Sequence, residues 1–115
     1  MLNARSVRNK TLDLHEHLVE HDIDVMAVTE TWLKENDEIK ITELLPPNYK
    51  IVQRPRGKNR PGGGVAIIHK DSLDVSVKPN CINATAFEHL EICITFPSKT
   101  YRIILVYRPP PSKKN

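Results

Sequence analysis

The sequence predicts an α/β domain with a largely antiparallel or mixed sheet and one main helix. Three observations predict this class. Apolar residues recur at helical spacing near the start of the chain, and a nearly continuous apolar run follows them. The second half consists of short segments in which apolar and polar residues alternate, joined by short connections. Such alternation is typical of antiparallel strands with one covered face.

The first predicted element is an amphipathic helix over about residues 7–21, with Ser6 placed to cap it. At 100° per residue its apolar side chains occupy one broad arc, and its acidic, Asn and His17 side chains occupy the other. One side of the helix is therefore expected to pack against the rest of the protein. Residues 1–4, before the helix, are interpreted as the remnant of a strand.

The apolar run at residues 23–28 is rich in β-branched side chains and apolar at both alternate positions. This pattern is typical of a strand that is covered on both faces. Further strands are predicted at residues 49–53, 65–69, 73–77, 90–96 and 101–107. Prolines 109–111 end the last of these, because proline has no backbone N–H to donate. The expected domain spans residues 1–111, and residues 112–115 are expected to be a disordered tail.

Composition excludes several classes of protein. A chain of 115 residues with 39% hydrophobic and 27% charged residues, and a mean hydropathy of −0.42, is neither a membrane protein nor compositionally disordered. The start lacks the apolar core of a signal peptide, so an intracellular protein is expected, in nucleus or cytoplasm. Two cysteines, Cys81 and Cys93, are too few for a disulfide scaffold and are expected to be reduced.

Charge is distributed unevenly along the chain. Residues 1–50 carry six Lys or Arg and ten Asp or Glu, whereas residues 51–115 carry eleven and four. The densest basic segment consists of Lys50, Arg54, Arg56, Lys58 and Arg60. Binding of a polyanion such as nucleic acid is one interpretation, and a solvated, flexible loop is the other.

Two short patterns suggest chemistry without establishing it. His17, Glu20 and His21 form the H-x-x-E-H spacing of one group of zinc peptidases. A solvated helix surface with chance spacing explains it better, because His17 lies on the polar arc. The glycines at 62–64 could bring backbone N–H groups close to a phosphate, but no P-loop Lys-Ser/Thr follows. A glycine turn that opens a strand is the simpler interpretation.

Glu30 is the most informative acidic residue. It ends the most buried predicted strand, close to Trp32, where an unpaired carboxylate is costly. Active sites of layered α/β proteins collect at strand ends, and Mg²⁺ is commonly held by one carboxylate with phosphate and water. The alternative is that Glu30 turns into solvent where a loop begins.

Four segments in order resemble the endonuclease domain of non-LTR, LINE-type retrotransposons. They are Asn3-Ala4-Arg5-Ser6, the run from Asp24 through Glu30-Thr31-Trp32-Leu33, Gly62-Gly63-Gly64 with the strand after it, and Val106-Tyr107-Arg108-Pro109-Pro110. That domain, usually joined to a reverse transcriptase, belongs to the endonuclease/exonuclease/phosphatase superfamily with DNase I and apurinic endonucleases. The resemblance implies a two-sheet α/β sandwich that hydrolyses DNA with Mg²⁺ or Mn²⁺.

The resemblance also implies roles for individual residues. Asn3 matches an active-site asparagine near metal and phosphate, Glu30 the metal-binding glutamate, and Tyr107 an aromatic residue that positions the phosphate. Glu88 lies where relatives often carry a glutamate before a strand, as a weaker match. Arg108 joins the basic segment as a weaker candidate for nucleic-acid contact.

The family's later motifs, Gly-Asp-Phe/Leu-Asn and Ser-Asp-His, do not occur in the sequence. The chain therefore resembles the N-terminal half of such a domain, truncated and expected to be inactive by itself. The alternative is a domesticated, non-catalytic module that binds nucleic acid or a protein. Half a sandwich is further expected to leave an apolar face uncovered, formed by Leu90, Ile92, Ile94 and Phe96 with Ile103 and Leu105, and to self-associate through it.

Overall fold

The computed structural model describes residues 2–3, for which only the backbone is considered, and residues 10–34, 37–54, 63–78 and 88–108. These residues form nine elements in chain order. They are β1 (Leu2–Asn3), α1 (Thr11–Glu20), β2 (Val25–Thr29), α2 (Glu38–Leu44), β3 (Tyr49–Arg54), β4 (Val65–Lys70), β5 (Asp74–Val77), β6 (Glu88–Thr95) and β7 (Thr100–Tyr107).

The strands form two sheets. The first has the order β1-β2-β4-β3, with β1 parallel to β2 and the other pairs antiparallel. The second has the order β5-β6-β7 and is antiparallel throughout. The predicted α/β class with two small, mixed or antiparallel sheets is confirmed, and it corresponds to part of a DNase I-like sandwich.

One face of the first sheet packs against both helices. Leu14 and Leu18 of α1 and Leu44 of α2 are buried against Met26, Val28 and Ile68 of the sheet. These helix positions are spaced so that one stripe of each helix faces the sheet, as amphipathic packing requires. This layer fixes the position of β2, and with it the position of whatever follows β2 in the chain.

The other face of the first sheet packs against the second sheet. The core between the sheets contains Val65 and Ile67 of β4 and Leu90, Ile92 and Ile94 of β6, all at most 1% exposed. The expectation that the face of Leu90, Ile92 and Ile94 is left uncovered is therefore wrong. The first sheet is apolar on both faces, so it covers the helices with one face and the second sheet with the other.

This closure removes the reason given for self-association through that face. Among the described residues, the outer face of the second sheet is exposed, with Ile104 and Val106 each about half exposed. Cys93, on the same face, carries a free thiol, as expected from the cysteine content. Self-association itself stays a prediction.

The helices differ from the sequence prediction in two ways. α1 begins at Thr11 rather than at residue 7, and Lys10 is its N-cap without a side-chain capping hydrogen bond. The proposed cap Ser6 lies outside the described residues, as does the predicted tail at 112–115. α2 was not predicted, because seven residues give too little of the 3.6-residue period to be recognised.

Candidate active site

Several of the residues to which the resemblance assigns roles lie at one end of the first sheet. The strand registers pair Asn3 with Thr29, Thr29 with Val65, and Val65 with Arg54. These four positions form a row across β1, β2, β4 and β3, about 14 Å long at the usual strand spacing. Glu30 follows Thr29 directly, so it lies just beyond this row, where β2 ends.

The second sheet reaches the same end through a hydrogen bond. The backbone N–H of Gly64, just before β4, donates to Glu88 Oε2 at 2.9 Å. Glu88 opens β6 and is the register partner of Tyr107, the last residue of β7. Tyr107 is half-buried against the core between the sheets, and exposed Arg108 follows it. Asn3, Glu30, Arg54, Glu88, Tyr107 and Arg108 are therefore gathered at one end of the sandwich.

The segment after β2 has an unusual backbone. Glu30 and Trp32 have φ angles of 53° and 58°, in the left-handed region that favours glycine. Such conformations cost free energy and persist only where the surroundings fix them. Here Thr31 N–H donates to Gly64 O at 3.2 Å, and Trp32 N–H donates to Gly63 O at 2.7 Å. These two hydrogen bonds, to Gly63 and Gly64 before β4, fix the left-handed backbone of Glu30 and Trp32.

The two glycines allow this close approach. Gly63 and Gly64 have φ angles of 65° and 90° and are buried. Their carbonyls accept from the segment after β2, while the Gly64 N–H binds the Glu88 carboxylate. A residue with a Cβ would be strained at these angles and would crowd this junction. Gly63 and Gly64 therefore connect the segment after β2 with Glu88 of β6, at the start of β4, where the simpler interpretation placed the glycines.

The Glu30 carboxylate is half-buried and has no hydrogen-bond or ion-pair partner within the described part of the chain. A carboxylate in this setting suits a cation, because charge is costly to desolvate without one. No three His, Cys, Asp or Glu side chains cluster as a metal site among the described residues. Mg²⁺ does not need such a cluster, since one or two carboxylates, waters and a phosphate suffice. The Glu30 carboxylate is therefore suited to serve as a ligand of Mg²⁺ or Mn²⁺.

One of the predicted basic residues, Lys50, is not brought to this end. Lys50 is the register partner of His69, at the opposite end of β3 and roughly 13 Å along the strand from Arg54. Arg56, Lys58 and Arg60 lie outside the described residues. Of the basic segment, the structure therefore places Arg54 at the site and Lys50 away from it.

The histidine pattern on α1 also lies apart from the site. The His17 and His21 rings are 4.6 Å apart between centroids, and both side chains are exposed. His17 and His21 face solvent near the end of α1, which follows from the polar arc on which His17 was placed. The pattern is consistent with a solvated helix surface.

Trp32 is the residue at this end that sequence reasoning did not single out as functional. It is 45% exposed, although buried residues flank it on both sides. The available signal was a lone tryptophan beside the candidate metal ligand, in a chain with one Trp. Its backbone conformation depends on the glycine turn more than thirty residues later, so it was not visible in the local sequence.

No helix of the described residues is long and apolar enough to span a membrane.

A search of curated protein sequences finds no significant match. Among solved structures, the chain is similar to the AP endonuclease LMAP from Leishmania major, with 18% sequence identity and a TM-score of 0.66. The alignment covers 94% of this chain and 38% of that protein, so the chain spans well under half of its length.

The comparison with this structure supports the fold. The family assignment comes from a sequence comparison, in which the model of the endonuclease/exonuclease/phosphatase family matches residues 2–112. The matched range includes both sheets and every residue gathered at the site. The chain belongs to the endonuclease/exonuclease/phosphatase family.

Proposed function

We propose that this chain is the first part of a divalent-metal-dependent endonuclease domain, of the non-LTR retrotransposon type, that cuts phosphodiester bonds in DNA. The observation that carries the proposal is the convergence of Glu30, Glu88 and Tyr107 with the Asn3 strand end. The Glu-Thr-Trp-Leu and Tyr-Arg-Pro-Pro segments support the retrotransposon type over the phosphoinositide and sphingolipid enzymes of the superfamily.

In this proposal each residue has a distinct task. Glu30 holds the metal ion, and Asn3 orients the phosphate beside it. Tyr107, fixed by its packing between the sheets, limits the position of the phosphate. Glu88 acts through Gly64, because its carboxylate holds the N–H of the glycine turn that fixes the segment after β2. Glu88 is thus a positioning residue.

A bound Mg²⁺ or Mn²⁺ would polarise the phosphate and neutralise charge that develops on its oxygens. The chain's own cations would assist in binding. Arg54 is the last residue of the row, and the exposed Arg108 follows β7 at the same end, where both neutralise backbone phosphates of the nucleic acid. Such contacts give affinity without sequence preference and weaken as salt rises.

Metal binding tests the proposal directly. Mn²⁺ binding to the full chain is followed by the electron paramagnetic resonance signal of free Mn²⁺, with and without a short DNA duplex. We expect Glu30→Gln to weaken binding by about tenfold or more, since even groups that only support a metal ligand are worth 10–100-fold. The matched control is Asp24→Asn, because Asp24 lies just before β2 and Glu30 just after it.

Two results would contradict the proposal. Equal loss of Mn²⁺ binding in Glu30→Gln and Asp24→Asn would mean that the ion follows net charge rather than this site. Unchanged Mn²⁺ binding in Glu30→Gln, together with intact DNA binding, would instead favour a domesticated nucleic-acid-binding module without metal chemistry. Circular dichroism of each variant confirms that the fold is retained.

A further inference from the structure

Trp32 has a conformation that its own packing does not explain. Its φ of 58° is rare for a bulky residue and costs free energy. Buried aromatic side chains usually offset such a cost by contact with the core, but Trp32 is 45% exposed. The strain therefore holds a large apolar ring partly in water.

The segment around Trp32 is anchored on both sides. Thr31 and Leu33 are at most 3% exposed, and Leu33 N–H donates to Thr31 Oγ1. Trp32 N–H donates to Gly63 O at 2.7 Å, and Thr31 N–H donates to Gly64 O. The buried neighbours and the two hydrogen bonds to the glycine turn hold the intervening residue facing outward. The backbone at Trp32 is thus fixed by its neighbours, with the indole on the exposed side.

The surroundings of Trp32 indicate which ligand fits an exposed ring. It is two residues from Glu30, and its hydrogen-bond acceptor Gly63 precedes the glycine that binds Glu88. Arg54 and Arg108 lie at the same end of the sandwich. Exposed aliphatic residues such as Ile104 and Val106 lie on the outer face of the second sheet. An exposed aromatic ring at the same end as two arginines, and two residues from a carboxylate that has no partner among the described residues, matches a nucleotide, which carries both a π-face and a phosphate.

We propose that Trp32 is a stacking platform for a nucleobase adjacent to the phosphate that the metal ion on Glu30 would bind. This inference rests on the proposed function and adds a base-binding subsite to it. Stacking on an indole is tolerant of sequence, because every base presents a π-face. The ring would hold the nucleotide next to the metal site and fix the register of the strand, whereas Arg54 and Arg108 contact only the backbone.

The single tryptophan makes the test specific. The chain contains one Trp, so intrinsic fluorescence reports on Trp32 alone. The full chain is titrated at low salt with a 12-nucleotide thymidine strand and with an abasic strand of equal length and charge. We expect the thymidine strand to quench the fluorescence and to bind about tenfold more tightly, in keeping with the usual worth of one stacked base.

Variants separate stacking from folding, with binding measured by the anisotropy of dye-labelled strands. Trp32→Ala is expected to bind both strands with equal affinity, and Trp32→Phe to keep part of the preference for bases. The matched control is Tyr101→Ala, which removes an exposed aromatic ring at the opposite end of the second sheet and should keep the whole preference. Circular dichroism and thermal unfolding establish that each variant folds.

The outcomes distinguish this inference from the proposed function. If both strands bind the unsubstituted chain equally and the fluorescence is unchanged, the stacking subsite is overturned while phosphate binding stands. If neither strand binds at low salt, the proposed function is overturned and the subsite with it. A loss of preference in Tyr101→Ala as well as in Trp32→Ala would also overturn the assignment to Trp32.

Discussion

The two ends of the first sheet use charged residues and strained backbone in opposite ways. At the end described above, Glu30 has no partner among the described residues and Trp32 is partly exposed. At the other end, Lys70 forms ion pairs with Asp22 and with Asp24, and the Tyr49 hydroxyl lies within hydrogen-bonding distance of the Leu18 and Ile23 carbonyls. The first, the site end, holds groups available to a ligand. The second, the partnered end, satisfies its charged and hydroxyl groups with partners inside the protein.

Left-handed backbone shows the same contrast. At the partnered end it occurs at Asp22 and Asn48, residue types that tolerate this conformation. At the site end it occurs at Glu30 and Trp32, which do not. A sequence optimised only for stability would place glycine or asparagine at these two positions. Under the proposed function, Glu30 and Trp32 carry this cost in stability for the sake of their side chains.

Two residues at the partnered end have shifted pKa values. Partial burial raises the pKa of Tyr49 above its ordinary value of 10.0. The hydrogen bond with Asp22 raises the pKa of Lys70 above 10.5. A raised pKa in the folded state gives stability below the ordinary value that is lost as pH rises through the higher one. The partnered end therefore contributes its stability at neutral pH and loses it above about pH 10.

The largest expected effect concerns catalysis. If the site end were sufficient for hydrolysis, this 115-residue chain would nick DNA. We expect no appreciable nicking, because an attacking water needs a base and the leaving oxygen needs support, and losing such groups costs orders of magnitude in rate. Among the described histidines, His69 lies at the opposite end of β4, and His89 alternates with Glu88 on β6. A plasmid-nicking assay with Mg²⁺ or Mn²⁺ measures this.

Robust nicking that disappears in Glu30→Ala would overturn that expectation. It would show that the residues gathered at the site end already supply the base. Nicking that persists in Glu30→Ala would point to a contaminating nuclease, which a second purification of the same variant would reveal.

A smaller effect is expected at the partnered end. Tyr49→Phe removes the hydroxyl that bonds the Ile23 carbonyl and should destabilise the fold by about 1–2 kcal/mol, measured by urea unfolding. The variant should also lose less stability than the original chain between pH 9 and pH 11, roughly the range over which tyrosine ionises. Tyr101→Phe is the control, because Tyr101 is half exposed, and a change within about 0.5 kcal/mol is expected.

If Tyr49→Phe and Tyr101→Phe were equally stable at pH 7, the contrast between the two ends would lose its energetic basis. A pH profile of Tyr49→Phe identical to that of the original chain would assign the alkaline loss of stability to Lys70 and its aspartates instead.

The smallest expected effect tests the strain itself. Trp32→Gly and Trp32→Ala both remove the indole, but only glycine relieves the left-handed backbone. Trp32→Gly should be the more stable variant by about 0.5–1 kcal/mol, after allowance for the entropy that glycine loses on folding. Asn48→Gly should differ little in stability from the original chain, since asparagine already tolerates its φ of 71°. Denaturant midpoints of these variants provide the comparison, and a Trp32→Gly variant no more stable than Trp32→Ala would contradict the expectation.

The sequence predicted most strand positions and which face of each strand is apolar, although not what covers the apolar face of β6. The alternation of Leu90, Ile92 and Ile94 gave β6 and its inward face, and the continuous run after Asp24 gave a strand covered on both sides. These features follow from local periodicity, because the side chains of a strand alternate between its faces. The short helix α2 was not predicted, because its seven residues contain barely two turns and show too little of the helical period.

The sequence by itself determined that Glu30 ends a buried strand, because apolar patterning and the change to polar residues are local properties. Only the tertiary structure decided that the row from Asn3 to Arg54 meets Glu88 and Tyr107, since register and sheet closure depend on residues far apart in the chain. It also decided the left-handed backbone of Trp32, which the carbonyl of Gly63 holds from more than thirty residues away. Local sequence sets which residues are buried, whereas long-range hydrogen bonds set which exposed residues face a common ligand.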